Sequence, residues 1–375
     1  MEADVRLLRS RGHRVIEYRR HNEEVESYGR LTVGTRTVWS REAYRSLAAL
    51  LERTRPDVVH VHNTLPLISP AALWAAKRSA AAVVMTLHNY RLGCTNGLFF
   101  RQGHICRDCL AWPGPLQAVI HRCYRSSRMA SSAVAAMLYF HRAIGTWRRT
   151  VDRFLVLSEF QRRQIEAVGL PAKKLRLRPN FIGTDPGPGS GTRGNALFVG
   201  RLSPEKGVGT LLEAWRGLRG AHPLRVVGDG PLAGELRAAA ERDKTIEFVG
   251  RLPPEGVLDE MKQAACLIFP SECFETFGMA IIEAYSVGLP VLAAEIGSAG
   301  DLVVDGRTGF HFAPGDAKSL RDAVSKFFAR PDGRAAMALA CREEYRRRYG
   351  ADSAYETLVA TYEEAKGLHA RSWSG

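Results

Sequence analysis

The sequence predicts an α/β protein built from two doubly wound, parallel-sheet domains, and three observations support this fold class. Its 375 residues are 45% hydrophobic, which is enough to bury the cores of two domains. Short apolar runs alternate with helical patterns along most of the chain. Many of the 35 glycines stand where these runs end, at positions where strand-to-helix turns need a positive φ or a close backbone approach.

The second half of the chain shows this alternation most regularly. Predicted strands lie at 196–200, 224–228, 246–250, 266–270 and 290–293. Between them, predicted helices run through Leu211 and Trp215 and over 231–242, 255–264 and 278–287. Continuous apolar strands alternating with helices indicate a parallel sheet covered on both faces. Right-handed crossovers then place every strand-to-helix loop on one edge of the sheet, where ligands bind.

The first half repeats the pattern less regularly. Predicted strands lie at 13–18, 58–61, 83–87, 154–157 and 175–177, with helices at 41–53, 66–78 and 159–168. The chain begins within an amphipathic helix that contains Val5, Leu7 and Leu8, so the expected first strand and its glycine-rich turn are missing. We therefore expect either a misassigned start codon or a naturally shortened first domain.

The glycine- and proline-rich segment 183–195 is the best candidate for an interdomain linker. It separates a predicted first domain at 1–182 from a second at 196–348. Residues 90–150 form an insertion in the first domain, and they hold four cysteines and a basic segment. The segment 354–365 predicts an amphipathic helix near the C-terminal end, within a final segment at 349–375.

The chain is strongly basic, with a formal net charge of +14 at pH 7. Residues 101–178 contain 15 Lys and Arg against 4 Asp and Glu. The arginines that flank the apolar run 129–140 are Arg122, Arg125, Arg128, Arg142, Arg148 and Arg149. This pattern fits a basic amphipathic element on an anionic membrane, and equally a helix pair with a solvated basic face. No nucleic-acid-binding module is recognisable, so we expect no nucleic acid partner.

The sequence also bears on localisation. No run of 18 consecutive apolar residues is present, and the N-terminus lacks the apolar region of a signal peptide. We therefore expect a soluble, cytoplasmic protein. Peripheral attachment to the inner face of the plasma membrane stays open because of the basic segment.

Two glutamates eight residues apart, Glu275 and Glu283, mark the most informative motif, within 269–284. Glu275 lies in the loop after a predicted strand, whereas Glu283 lies inside the next helix, about 9 Å along its axis from its start. The free N–H groups and positive dipole end at Thr276, Phe277 and Gly278 suit a diphosphate. A carboxylate deeper in the helix could then hold ribose hydroxyls, while one ahead of it meets a sugar.

This motif resembles the E-x7-E signature of retaining glycosyltransferase family 4, whose members have the GT-B architecture of two Rossmann-like domains facing a cleft. Segments 200–207, 228–231, 288–291 and 305–309 are also similar to that family, so the resemblance covers most of the chain. It implies transfer of a sugar from a nucleotide-diphosphate sugar to a saccharide or lipid-linked acceptor, in cell-envelope or exopolysaccharide assembly. It also implies that the last helix packs back on the first domain, whereas the pattern alone equally fits a surface helix that finishes the second domain.

The resemblance assigns a role to each matching residue. Arg201 and Lys206 would neutralise the donor diphosphate, and Glu283 would bind the ribose. Glu275 would hold sugar hydroxyls near the reacting face as a catalytic residue. Such enzymes use cationic side chains and a helix end where other transferases use a divalent metal, so no catalytic cofactor is expected. Cations placed there stabilise the negative charge that develops on the departing diphosphate.

In the first half, His88 follows a predicted strand and matches the family's strand-end histidine, which contacts the donor sugar. Asn89 stands where many relatives carry Asp. His60, His62 and Asn180 are weaker candidates for the same region. Without the resemblance, a lone histidine at this place would more simply cap or fill the core.

Four cysteines in the insertion, Cys94, Cys106, Cys109 and Cys123, have a C-x11-C-x2-C-x13-C spacing. This spacing fits a tetrahedral structural zinc site, which would hold together an insertion with little core of its own. Free thiols fit the pattern as well, and disulfides are disfavoured in a reducing cytoplasm. No catalytic role is assigned to a metal here.

Two further functions compete with the transferase. A nucleotide-sugar epimerase also uses the GT-B fold, although the E-x7-E motif with Arg201 and Lys206 argues against it. A catalytically inactive sugar-nucleotide-binding protein would explain the missing first strand. Turnover of a donor to free nucleoside diphosphate separates the active transferase from this inactive relative.

Overall fold

A computed structural model describes residues 1–373 of the chain. Its first half contains eight α-helices and six strands among the described residues. In chain order these are α1 (Glu2–Ser10), α2 (Arg30–Val38), α3 (Arg41–Thr54), β1 (Val58–Val61), α4 (Ala71–Arg78), β2 (Ala82–Thr86), β3 (Phe100–Arg101), β4 (His104–Ile105), α5 (Leu116–Ile120), α6 (Arg128–Ala143), α7 (Thr146–Thr150), β5 (Arg153–Val156), α8 (Glu159–Ala167) and β6 (Leu175–Leu177).

The second half alternates strand and helix from residue 196 onward, as the sequence predicts. Its elements are β7 (Ala196–Val199), α9 (Val208–Leu218), β8 (Leu224–Val227), α10 (Ala233–Arg242), β9 (Ile246–Gly250), α11 (Pro254–Gln263), β10 (Cys266–Phe269), α12 (Met279–Ser286), β11 (Val291–Ala294), α13 (Gly297–Leu302), β12 (Gly309–Phe312), α14 (Ala317–Phe328), α15 (Pro331–Arg348) and α16 (Ala351–Trp373). Within the described chain, no helix is both long and apolar enough to cross a bilayer.

The chain divides into two compact units. The first comprises Met1–Phe99, Cys106–Arg178 and the C-terminal segment from Tyr355. Its parallel sheet has the order β1-β2-β5-β6, and every residue of β2 and β5 is buried. Such fully apolar central strands are expected where helices cover both faces of a parallel sheet.

The C-terminal segment helps to build the core of the first unit. Leu358 and Ala365 of α16 are fully buried in one cluster with Val84 and Leu155 of the sheet. Glu364 on the same helix forms ion pairs with Arg153 and Arg176, and these charges lower its pKa to about 2. The apolar face of α16 therefore covers the sheet of the first unit.

The predicted strand at 13–18 is wrong. This segment is assigned neither helix nor strand, it pairs with no strand in the described part of the chain, and β1 ends the sheet. Its side chains hydrogen-bond to helices instead, with His13 Nε2 2.9 Å from Tyr355 Oη and Tyr18 Oη 2.7 Å from Ser46 Oγ. A short apolar segment becomes a strand only where a neighbouring strand edge is available to pair with it.

The second unit comprises Phe100–Ile105 and Pro179–Ala354. Its six-stranded parallel sheet has the order β12-β11-β10-β7-β8-β9. The chain therefore lays down β7, β8 and β9 in one direction and β10, β11 and β12 in the other. The order reverses between β7 and β10, and the crevice at this switch point is where doubly wound sheets bind ligands.

The segment predicted as a linker, 183–195, lies within the second unit. Gly189 N donates to Val287 O at 2.7 Å, and Ser190 N donates to Lys262 O at 2.8 Å. A Cβ at Gly189 would come within 2.5 Å of Lys262 O, so the glycine permits this close approach. Glycine-rich composition here reflects backbone packing, and the observed boundary between units falls at Arg178 and Pro179.

Candidate active site

The loops that follow β7 and β10 meet at the switch point of the second sheet. Gly207, at the end of the first loop, has φ +71°, and a Cβ there would lie 1.9 Å from Pro270 O in the second loop. Glu272 N donates to Glu205 O at 3.0 Å, which joins the two loops through the backbone. Only glycine permits this approach at 207, so the site depends on the residue that ends the predicted diphosphate loop.

The turn after β8 packs against the same loop. A Cβ at Gly228, whose φ is +148°, would lie 1.9 Å from Gly200 O. Leu202 N donates to Asp229 O at 2.9 Å, and Leu232 N donates to Leu202 O at 3.0 Å. The loops after three neighbouring strands therefore form one rigid group.

Lys206 and Glu275 form an ion pair where these loops meet. The Lys206 ammonium donates to Glu275 Oε1, and Ser271 Oγ donates to the same oxygen at 2.8 Å. The two side chains are 29% and 15% exposed, respectively. Burial opposes the charge of Lys206, yet the neighbouring Glu275 carboxylate raises its pKa above the ordinary value. Lys206 is therefore a permanent cation held in place by an acid 69 positions away.

The loop after β11 fixes Glu275 from the other side. Gly297 has φ +61°, and a Cβ there would lie 2.9 Å from Glu275 N. Ser298 N donates to Glu275 O at 3.3 Å, and Ser298 Oγ donates to Phe277 O at 2.6 Å. Ser271 and Ser298 were not predicted from the sequence. The available signal for Ser298 is Gly297, which follows the apolar run 291–294 and marks a close backbone approach.

Helix α12 begins at Met279, directly after the site loop. Gly278 precedes it with φ +98°, and no side chain caps this end of the helix. The N–H groups of the first turn therefore retain the capacity to bind an anion. Glu283 lies in the second turn and is half-buried, and burial raises its pKa. No ion-pair partner for Glu283 occurs among residues 1–373.

Two predicted donor-site residues differ in their surroundings. Arg201 is exposed in the loop after β7, and its guanidinium forms no ion pair with any of the described residues. The side chain of Phe277 is only 2% exposed and packs edge-on against Tyr349, and the predicted anion site requires only its backbone N–H. Its apolar ring belongs to the core beneath the loop, and only its backbone lies with Thr276 and Gly278 at the helix start.

In the first unit, His88 follows β2 and lies against His62. His62 Nδ1 is 2.9 Å from His88 Nε2, and the two rings stack at 5.2 Å between centroids. His60 stacks on His62 and is hydrogen-bonded to both Thr86 Oγ1 and Tyr362 Oη. The structure thus brings together three histidines that the sequence placed on two separate strands.

Burial keeps these imidazoles neutral. It lowers the pKa of His60 to about 3 and also lowers the pKa values of His62 and His88. A pocket beside them is lined by His62, His88, Asn89, Arg91 and Trp147, among others. Neutral imidazoles both donate and accept hydrogen bonds, which suits a pocket for hydroxyl groups.

The remaining candidates near His88 have local roles. Asn89 Oδ1 accepts from Arg91 N at 3.0 Å and so stabilises the turn after β2. Asn180 is half-buried and belongs to the second unit. Neither position therefore adds a group to the histidine cluster of the first unit.

The four cysteines do not form a tetrahedral group. The thiols of Cys94 and Cys109 are hydrogen-bonded, which lowers the pKa of Cys94 to about 6. Cys123 N ends α5 by donating to Ala118 O at 2.9 Å, whereas Cys106 N donates to Phe99 O beyond the β3-β4 hairpin. The described residues contain no group of three or more metal-binding side chains. The described residues therefore show no arrangement that fits the predicted zinc site.

Comparison with known protein families gives two matches that together span most of the chain. Residues 4–186 match the family model described as Glycosyltransferase Family 4. Residues 193–330 match the model described as Glycosyl transferases group 1. The boundary between the two matches falls close to the division between the first and second units.

Individual relatives are more distant. The glycogen synthase of Mycobacterium tuberculosis is 27% identical over 302 residues, which cover 77% of this chain and 64% of that protein. The sulfoquinovosyl transferase SQD2 of Arabidopsis thaliana is 24% identical over 365 residues, or 91% of this chain and 65% of its own length. The chain thus spans slightly less than two thirds of each of these proteins.

A solved structure shares the fold. The Anabaena protein Alr3699/HepE, crystallised in complex with UDP, matches with a TM-score of 0.64 at 17% identity. The match covers 85% of this chain and 81% of that one. This similarity confirms the expected GT-B class, in which each half of the chain contributes a parallel α/β sheet.

Proposed function

This chain belongs to glycosyltransferase family 4, and on that premise we propose that it transfers a sugar from a nucleotide-diphosphate sugar to an acceptor with retention of configuration and without a divalent metal. The observation that carries the proposal is the Lys206–Glu275 ion pair at the switch point of the second sheet. It combines a fixed cation with a carboxylate next to an uncapped helix end, which is the set of groups that a diphosphate-linked sugar requires.

The donor diphosphate binds, in this proposal, between Lys206, Arg201 and the first turn of α12. Negative charge grows on the diphosphate as its bond to the sugar breaks, and a cation already in place stabilises that charge without reorganisation. The exposed guanidinium of Arg201 adds a bidentate donor for phosphate oxygens. This supply of positive charge is the basis for proposing that the reaction needs no metal ion. The Anabaena structure, which contains UDP, supports a nucleotide donor.

The two glutamates act at opposite ends of the donor. Glu275 is held by Lys206 and Ser271, and it would accept hydrogen bonds from sugar hydroxyls beside the diphosphate. Glu283 lies one turn deeper in α12, where a half-buried carboxylate would bind the ribose hydroxyls. Burial raises the pKa of Glu283, so hydroxyl donors from the ribose compensate the cost of its charge.

His88 would contact the donor sugar through a neutral imidazole. His62 orients its ring through the 2.9 Å hydrogen bond, and His60 supports His62 by stacking. Since the lowered pKa keeps His88 uncharged, it can accept a hydrogen bond from one sugar hydroxyl and donate to another.

A lipid-linked acceptor and a place in envelope or exopolysaccharide assembly are supported by the surface of the insertion. Trp112 is 95% exposed, and Leu116 and Ile120 of α5 are also exposed. Arg122 and Arg125 follow at the end of α5 and are exposed as well. Exposed apolar side chains beside arginines favour peripheral contact with an anionic membrane, where a lipid-linked acceptor resides.

A thermal-shift screen of nucleoside diphosphates and nucleotide sugars tests the donor assignment. A bound donor raises the melting temperature by mass action, and the increase should depend on Lys206. The retained configuration is then read from the anomeric signal of the product by NMR. Absence of stabilisation by every nucleotide, or an inverted product, would contradict the proposal.

A further inference from the structure

The first unit contains a second cavity, separate from the histidine pocket. Its volume is about 360 Å³, which falls within the range of small-molecule sites, ~300–1,000 Å³. It lies between α2, the first half of α6 and the turn before α2. The residues that line it are Val25, Tyr28, Arg30, Val33, Gly34, Thr37, Pro66, Tyr124, Arg125, Ser127, Met129, Ala130, Ala133 and Val134.

The floor of this cavity is apolar. Val33 and Gly34 of α2 face Ala133 and Val134 of α6, and Val134 is buried. The two helices pack closely there, since a Cβ at Gly34 would lie 3.9 Å from the Cβ of Ala133. Val25 and Pro66 complete the apolar lining. A floor of small and branched aliphatic side chains suits a hydrocarbon chain and offers a polar molecule few partners.

The mouth of the cavity is cationic. Arg30 is the first residue of α2 and Arg125 precedes α6, and both are exposed. Neither arginine forms an ion pair with an acidic side chain within residues 1–373. Two unpaired guanidiniums at the rim of an apolar cavity therefore attract an anion that carries a hydrocarbon chain.

The backbone that presents Arg125 is strained. Arg122, Arg125 and Ser126 have φ values of +53°, +52° and +52°, in the left-handed region that non-glycine residues rarely adopt. Backbone strain of this kind is found most often at binding and active sites. The strain fixes the direction of the loop that carries the arginine to the mouth.

The loop after β1 links this cavity to the histidine pocket. Leu65 and Pro70 line the pocket beside His62 and His88, whereas Pro66 lines the apolar cavity.

We infer that this cavity binds the lipid phosphate of the acceptor, with the hydrocarbon chain between α2 and α6 and the phosphate on Arg30 and Arg125. The identification of this lipid as the acceptor rests on the proposed function, whereas its binding does not. The aliphatic lining and the two guanidiniums at its edge together favour a single-chain lipid phosphate.

Binding of decyl phosphate to the full-length protein tests this inference. Isothermal titration below the micelle concentration should show saturable binding of decyl phosphate, while inorganic phosphate and decanol should each bind at least tenfold more weakly. Ala133→Leu fills the floor of the cavity and should weaken the binding of decyl phosphate at least tenfold. The double variant Arg30→Ala/Arg125→Ala should lower the affinity for decyl phosphate about tenfold or more, because removing each guanidinium removes a charge-assisted hydrogen bond to the phosphate.

Matched variants control for non-specific effects. Ala136→Leu adds the same side chain to an exposed position of α6, and Arg45→Ala removes an exposed arginine from α3; both should bind decyl phosphate like the wild type. Equal binding of inorganic phosphate, or unchanged affinity in Ala133→Leu, would overturn the inference. Thermal stabilisation by nucleoside diphosphate, measured on the same samples, tests the donor site independently and also shows that each variant is folded.

Discussion

Replacing Lys206 with alanine should reduce kcat/KM for the donor by about 10²–10³-fold, and the size of this loss follows from where the ammonium lies. The side chain is mostly buried and fixed by Glu275, so it interacts with a bound diphosphate at an intermediate effective dielectric constant. Two unit charges about 4 Å apart then interact by about 4 kcal/mol. Losing one preorganised group of this kind costs roughly 3–4 kcal/mol in the transition state.

The assay is release of nucleoside diphosphate from the donor identified by thermal shift, with initial rates measured over a range of donor concentrations. Lys318→Ala is the matched control, because Lys318 lies on α14 of the same unit and is 77% exposed. A loss confined to KM would show that Lys206 binds the ground state and transition state equally. If Lys206→Ala keeps kcat/KM within about threefold of the wild type, the diphosphate assignment is wrong.

The remaining predictions concern the groups around this lysine. Glu275→Gln should lower kcat while nucleotide affinity in a titration changes little, and an unchanged kcat would refute its role. Gly207→Ala should lower the free energy of unfolding in urea by more than about 2 kcal/mol, because its Cβ would meet Pro270 O, whereas Gly209→Ala has open space and should not. Burial raises the pKa of Glu283 in the folded state, so the wild type loses stability as pH rises from the ordinary glutamate pKa to the raised folded value. The free energy of unfolding of Glu283→Gln should therefore increase relative to that of the wild type over this pH range. Any inflection that His88 contributes to a kcat/KM profile should lie below the ordinary histidine pKa, because its folded pKa is lowered. His88→Ala should reduce kcat/KM at pH values above the ordinary histidine pKa, where the wild-type ring is neutral.

Five of the six strands of the second unit, β7 to β11, were predictable because each is a short, mostly apolar run followed by a helical pattern. Their predicted and observed bounds differ by at most one residue at each end, whereas β12 was not predicted. The segment 13–18 shows where this reasoning fails. Its composition favours a strand, but strand formation requires a partner that the sequence pattern does not identify.

The site was predictable in its residues but not in their pairing. Lys206 was identified as a phosphate-binding residue and Glu275, separately, as a sugar-binding residue. The ion pair between them depends on β7 and β10 being neighbours in the sheet. The four cysteines were not predictable in the same way. Their spacing allows a tetrahedral site, yet no group of three or more metal-binding side chains occurs among the described residues. Short-range spacing is informative only when the intervening chain lets the side chains converge.

The two units set the charge states of their candidate site residues in opposite ways. In the second unit, Glu275 overcomes the desolvation of Lys206, so the lysine keeps its charge in a mostly buried position. In the first unit, the Asp4 carboxylate opposes the desolvation of His88 but does not outweigh it, so the pKa of His88 is lowered and its imidazole stays neutral. A departing diphosphate needs a cation whose charge persists throughout the reaction, whereas sugar hydroxyls need a group that can both donate and accept. The charge state of each group therefore matches the part of a nucleotide sugar that it is proposed to contact.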